Sequence, residues 1–321
     1  MSIDCIAIIG TGVIGAGWAS RLLAHGKQVI AFDPVEGFAE SLVRKVESSW
    51  PILEKKGLAP GASLENLTCA SSLEEACKQA DLIQENVPEN IDVKKSVHKD
   101  IERHAVEDTI IASSSSGLLP TEIQSVYQNP QRLIVAHPFN PVYMLPLVEI
   151  VGGEQTAVST IETAKHFYAE IGMKPLHVRK EIEGYLSDRL QEALWREILH
   201  LVNDDIATTG ELDEAIIYGP GLRWAIMGTC MTFHLAGGEN GMRHMLEQFG
   251  PALKLPWTKL EAPELTDSLI AKMVTGTAEQ AGDASIDELE KLRDNCLLEI
   301  IGALEKFQVG AGALDSEFRS S

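Results

Sequence analysis

An apolar run at residues 3–9 leads straight into Gly10-Thr11-Gly12-Val13-Ile14-Gly15, and residues 13–25 then read as a helix ended by Gly26. No other stretch limits the possible folds as much. A strand without polar alternation is buried on both faces, which belongs to a parallel sheet covered by helices. Residues 28–32 supply a second strand closing on Asp33, where the dinucleotide fingerprint expects an acid. The glycines let backbone approach a pyrophosphate, which then faces a helix N-terminus and its partial positive charge. Asp33 is expected to accept hydrogen bonds from the adenosine ribose and to repel a 2′-phosphate, so NAD is expected over NADP. The expected cofactor residues here are Gly10, Thr11, Gly12, Val13, Ile14, Gly15 and Asp33. Gly17, a turn inside the helix, is expected to serve close helix–strand packing.

The alternation continues. Phe38, Leu42, Val46, Trp50 and Leu53 repeat at helical spacing until Pro60-Gly61 breaks the pattern. Further strands are expected at 82–86, 109–112, 133–136 and 147–151, with helices at 73–80, 91–104 and 156–171. This predicts an α/β fold whose N-terminal domain, residues 1–181, is a Rossmann-type doubly wound parallel sheet binding NAD. From about Gly184 the strand signals stop. Leu186, Leu190, Leu194, Ile198 and Leu201 mark a long helix, and 285–304 reads as another, with interruptions at Gly219-Pro220-Gly221, Gly237-Gly238 and 251–263. Residues 182–321 are therefore expected to form a mainly α-helical domain for substrate binding and dimerisation. A helical domain this small often buries its remaining apolar face in a second copy, so a homodimer is expected.

Lys+Arg 27 against Asp+Glu 47 gives a net charge of -20, which argues against nucleic acid or an anionic membrane as partner. The five cysteines are odd in number and contain no Cys-x-x-Cys, as in a reducing compartment. No charge-free apolar run approaches the roughly 20 residues of a membrane span. A cytoplasmic location is expected.

Chemistry enters at His137, which stands just past a predicted strand with Glu149 downstream. Such a pair offers a base and a carboxylate to orient it. Residues 113–116 also follow a predicted strand, and carboxyl ends of strands are where such sheets bind ligands. Beside a nicotinamide ring, this suits deprotonation of a hydroxyl during hydride transfer, which needs no metal.

Along nearly its full length the chain resembles the 3-hydroxyacyl-CoA dehydrogenase superfamily. The resemblance rests on the glycine turn with Asp33, on Glu89 and Lys94, on Ala112-Ser113 with Ser116, and on His137-Pro138-Phe139-Asn140-Pro141 with Glu149. It implies that His137 is the general base, Glu149 its orienting carboxylate and Ser116 a hydrogen-bond partner of the substrate hydroxyl. It implies that Asn140, Glu89 and Lys94 line the nicotinamide half of the cofactor, and that Lys272 is a late cofactor-contacting lysine.

Departures from the family pattern narrow the substrate. Acyl-CoA members carry a lysine-rich segment after the second strand; here residues 36–50 hold Glu36, Glu40 and Glu47 against Arg44 and Lys45. The family's Asn-Arg step is Asp188-Arg189 in this chain, and an added negative charge suggests a cation on the substrate. Asp188 and Trp195 share a helix face, and an aromatic ring beside a carboxylate suits a quaternary ammonium. Tyr143 and Phe139 are further candidate walls, and Arg223 a candidate for a substrate carboxylate. Alternatively Asp188 pairs with Arg189 or Arg223, Trp195 is core, and Arg223 makes an internal salt bridge. Gly219-Pro220-Gly221-Leu222-Arg223-Trp224 resembles the branch of the family acting on small free hydroxy acids. Together with Asp188, that resemblance implies a small zwitterionic hydroxy acid as partner, L-carnitine, oxidised at its 3-hydroxyl. L-gulonate, a short 3-hydroxyacyl-CoA and a non-enzymatic NAD-binding role are the alternatives.

Overall fold

The computed structural model describes residues 3–313 apart from 226, 238, 240, 250, 252–254, 260–263 and 265. The interruptions read at Gly238 and across much of 251–263 lie outside the described residues. The chain divides into two compact units between Asp188 and Arg189.

The first unit alternates β1 (Cys5–Ile9), α1 (Val13–Ala24), β2 (Gln28–Phe32), α2 (Phe38–Lys56), β3 (Leu67–Cys69), α3 (Leu73–Cys77), β4 (Leu82–Glu85) and α4 (Ile91–His104). It continues through β5 (Ile110–Ser113), α5 (Pro120–Gln124), β6 (Leu133–Pro138), β7 (Leu147–Gly152), α6 (Val158–Glu170) and β8 (Lys174–Val178). The strands make one eight-stranded sheet in the order β3-β2-β1-β4-β5-β6-β7-β8. All neighbours pair parallel except β6 and β7. The reversal has a simple cause: the link 139–146 is too short for a parallel crossover, which needs a dozen or more residues.

Strand alternation sorts β1 between two layers. Ile6 and Ile8 face Trp18, Leu22, Leu42 and Tyr168, whereas Ala7 and Ile9 face Ile83, Ile101, Ile111 and Leu133. Each fully buried Leu or Ile contributes roughly 1.5–3 kcal/mol. The expected α/β sheet is present, with two strands that the sequence pattern did not reveal. These are β3 and β8, the two edges. Edge strands carry polar residues and little alternation, and Lys174-Pro175-Leu176-His177-Val178 has only Val178 buried.

Gly17 does not serve a strand. A Cβ there would stand 2.9 Å from Cβ of Val142, so it is the 139–146 link that α1 admits so closely.

The second unit is helical: α7 (Ser187–Asn203), which begins just before the division, then α8 (Thr209–Ile217), α9 (Pro220–Trp224), α10 (Thr229–Ala236), α11 (Gly241–Phe249), α12 (Asp267–Ala281) and α13 (Ile286–Phe307). Reciprocal capping boxes, Thr208 with Glu211 and Ser285 with Glu288, start α8 and α13. Leu199 and Val202 of α7 pack with Leu269 of α12. Among the described residues no helix is long and apolar enough to cross a membrane.

Candidate active site

The head of α1 is prepared for an anion. Its first turn holds no acidic residue and its N-cap Gly12 makes no side-chain cap, so the first N–H groups are left to a ligand. A Cβ on Gly12 would meet nothing within 4 Å, which leaves open space before the helix. Gly10 takes φ +89°, and a Cβ there would stand 2.8 Å from the Asn86 carbonyl; one on Gly15 would collide with the Gly10 carbonyl oxygen. Val13 is exposed and Ile14 half-buried at the same mouth.

Asp33, at the end of β2, is locked in place. Its Oδ2 accepts from the Thr11 amide at 2.8 Å and hydroxyl at 3.2 Å, and its Oδ1 from the Val35 amide at 3.1 Å. Lys45 Nζ donates to the Thr11 carbonyl at 3.1 Å. Open space, a bare helix start and a fixed acid at the second strand fit a dinucleotide.

Under this end of the sheet lies an ionic cluster that sequence reasoning missed. Glu85, fully buried, accepts from Lys94 Nζ at 2.8 Å and the Val87 amide at 2.6 Å through Oε1. Its Oε2 lies 2.8 Å from His98 Nε2 and accepts from Ser113 Oγ at 2.6 Å, while His98 Nδ1 pairs with the Tyr127 hydroxyl at 2.6 Å. Burial pushes the Glu85 carboxyl up, but His98 and Lys94 outweigh it and bring the pKa down to about 2. Lys94 and His98 one turn apart on α4, behind an acid ending a buried strand, were the signal available.

Lys94 is thus buried beneath the loop that follows β4, with Glu89 Oε2 at 3.6 Å as its second carboxylate. Glu89 Oε1 accepts from Ser115 Oγ at 2.6 Å and from the amides of Ser116 and Gly117 at 3.0 Å each. Ser116 itself is exposed, at the end of β5, on a loop that Glu89 shapes.

The antiparallel register places His137 directly opposite Glu149. Directly opposed residues share a face of the sheet, and His137 Nδ1 lies 3.0 Å from Glu149 Oε2. Glu149 Oε1 accepts from the amides of Leu186 and Ser187, each at 3.0 Å. Burial raises the Glu149 pKa, yet the bonds from His137, Ser187 and Leu186 outweigh it and hold the carboxyl below its usual range. Across the imidazole, Asp188 Oδ2 is 3.7 Å from Nε2. The Phe139 and Tyr185 rings pack on the imidazole with centroids at 5.2 and 5.6 Å.

The link after β6 is held by a second residue that the sequence did not reveal. Arg21 of α1 is fully buried and donates to the carbonyls of Val142, Leu145, Ile171 and Gly172 at 2.7–3.2 Å. Burial lowers its pKa to about 10. A lone charge on an otherwise apolar helix was its only trace. Asn140 is exposed and Tyr143 half-buried on that link.

The remaining candidates lie in the second unit. Trp195 on α7 and Arg223 on α9 are exposed. Lys272 on α12 is 2.6 Å from Asp205 Oδ1, beside a cavity of 710 Å³ also lined by Val202, Thr208 and Thr209.

Comparison with known proteins gives a consistent result. A family model described as 3-hydroxyacyl-CoA dehydrogenase, NAD binding domain, matches residues 5–182, and its C-terminal domain model matches 184–284. The chain is 56% identical to an L-carnitine dehydrogenase of a Pseudomonas species, over 98% of both chains. It is 57% identical to the L-carnitine dehydrogenase of Oceanobacillus iheyensis, over 94% of this chain and 98% of that protein. Among solved structures, an NAD+ dependent dismutase, 5-formyl-3-hydroxy-2-methylpyridine 4-carboxylic acid 5-dehydrogenase, is similar at 27% identity and a TM-score of 0.80. That match covers 95% of this chain and 99% of that one. NAD is the cofactor, and the activity is that of an NAD-dependent 3-hydroxy acid dehydrogenase. With one model over the sheet and its companion over the helices, the chain belongs to the 3-hydroxyacyl-CoA dehydrogenase family.

Proposed function

We propose that this protein oxidises the 3-hydroxyl of L-carnitine to the ketone of 3-dehydrocarnitine, with His137 as general base and Glu149 as its orienting carboxylate. The observation that carries the reading is the opposed pair itself, Nδ1 to Oε2 at 3.0 Å, in a chain more than half identical to L-carnitine dehydrogenases.

Glu149 accepts a hydrogen bond from the Nδ1–H, which leaves the Nε2 lone pair facing the substrate. Nε2 takes the hydroxyl proton as the carbinol carbon gives up its hydride. Bound NAD+ supplies the hydride acceptor. The imidazolium that forms is stabilised by the ionised Glu149, and in the reverse direction it returns the proton to the ketone oxygen. Ser116 is the proposed second partner of the hydroxyl. The head of α1 from Gly10 to Gly15 holds the pyrophosphate and Asp33 the adenosine ribose. Asn140 and Glu89 line the nicotinamide half, Lys94 acts through Glu89, and Lys272 is assigned to the cofactor by resemblance alone.

The protein is read as a cytoplasmic homodimer. Five free cysteines suit a reducing compartment. Exposed Leu190, Tyr218, Leu222 and Phe307 in the second unit offer apolar surface to a second copy.

The test is NADH formation on L-carnitine beside L-gulonate and 3-hydroxybutyryl-CoA. Turnover confined to L-carnitine supports the reading; turnover of gulonate or the thioester with none of carnitine overturns the substrate and leaves the dyad standing. His137→Ala is expected to lower kcat by about 10³-fold or more with NADH binding retained.

A further inference from the structure

We infer that Asp188 reads a cationic nitrogen carried on the carbon next to the reacting carbinol, so that the substrate class is that of secondary alcohols with an adjacent ammonium group. The inference rests on the reading of His137 as the base.

Asp188 is delivered to its position by a turn built for the purpose. Gly184 has φ +70° and Tyr185 φ +45°, a left-handed conformation uncommon for an aromatic residue. The surroundings enforce it: the Tyr185 hydroxyl donates to the Leu118 carbonyl at 2.7 Å and its ring packs on His137. The next two amides, of Leu186 and Ser187, close on Glu149 Oε1. One carboxylate therefore orients the imidazole through Oε2 and, through Oε1, fixes the turn that sets a second carboxylate at Nε2. Both ends of the imidazole face an acid, at 3.0 Å and 3.7 Å.

The two acids differ in burial. Glu149 is fully buried, held by His137 and the amides of Leu186 and Ser187. Asp188 stands on the side where the proton is taken, with its side chain 27% exposed. A hydroxyl hydrogen-bonded to Nε2 lies roughly 3 Å from it, hence close to Asp188. A substrate carboxylate turned to that side is repelled. A cation on the neighbouring carbon is attracted, because bonds of about 1.5 Å place such a nitrogen roughly 3–4 Å from the hydroxyl oxygen. The half-buried Phe139 ring, against the same imidazole, gives a methylated ammonium an aromatic wall.

The experiment divides carnitine into halves of similar size. (2-Hydroxypropyl)trimethylammonium keeps the cation and carbinol but replaces the carboxylate arm with methyl. 3-Hydroxybutyrate keeps the carboxylate arm and lacks the cation. Their inhibition constants against L-carnitine oxidation are measured for wild type and Asp188→Asn, with NADH binding as the check on folding. The wild type is expected to bind the ammonium half at least about 10-fold more tightly. Asp188→Asn is expected to lose on the order of 100-fold in kcat/KM for L-carnitine and to bring the two halves within about 3-fold of each other. Equal or tighter binding of 3-hydroxybutyrate by the wild type overturns the inference. So does a variant that loses activity while the preference between halves persists, which would place Asp188 in the service of the base. Absence of carnitine oxidation by the wild type sinks the proposed function itself; an enzyme that oxidises carnitine without the expected collapse sinks only the assignment of Asp188.

Discussion

Glu149 is the residue on which most of the proposed chemistry converges, since one of its oxygens meets the imidazole and the other the backbone. Glu149→Gln keeps the volume and an acceptor but loses the charge that balances the imidazolium. It is expected to lower kcat by about 10³–10⁴-fold and to leave the Kd for NADH within about 2-fold, read by fluorescence titration. His25 carries a separate, pH-dependent consequence. Burial, at the tightly packed contact with Gly172, lowers its pKa from 6.5 to about 4. The unfolded chain then binds the extra proton first, so the stability from neutral His25 is full above pH 6.5 and is lost as pH falls toward 4. The loss amounts to about 3 kcal/mol, and His25→Gln is expected to flatten the urea midpoint across that window. Glu85 acts lower: its depressed carboxyl contributes stability that is full above pH 4.5 and is lost as pH falls toward 2.

Elements differ in how plainly the sequence announced them. The run from β1 through the glycine turn and α1 to Asp33 was legible because every local rule agrees there: an apolar strand, permissive glycines, a helix stop and an acid in register. The pairing of His137 with Glu149 was legible because the two lie on adjacent strands joined by a short link. What stayed hidden depends on partners distant in sequence. Arg21 reads as a surface charge until carbonyls from 142–145 and 171–172 surround it, and Glu85 reads as a strand-end acid until Lys94, His98 and Ser113 close on it. The edge strands β3 and β8 were hidden for the opposite reason, having too little burial to leave a pattern. Arg21 ties α1 to the link 139–146, so Arg21→Lys, with a single ammonium where a planar fork was needed, is expected to cost roughly 2–4 kcal/mol. Urea unfolding measures that loss. kcat should fall with it, since the link begins two residues after His137.

At the scale of the molecule, a charge of -20 opposes self-association while exposed apolar side chains of the second unit favour it. Light scattering is expected to give twice the 35.0 kDa of one chain. Because added salt screens the repulsion and leaves apolar contact intact, dissociation on dilution should become weaker as ionic strength rises; the opposite trend would mark a dimer held by ion pairs. The turn at 184–188 also bears on how such enzymes exchange parts. It belongs by its contacts to the first unit, though it leads into the first helix of the second. A hybrid joined at 181/182 would inherit a foreign Gly-Tyr-Leu-Ser-Asp and bring another lineage's chemistry to the imidazole. One joined at 188/189 would keep its own, so any preference that the proposed role of Asp188 confers is inherited with the nucleotide half of the molecule as long as the seam lies beyond that residue.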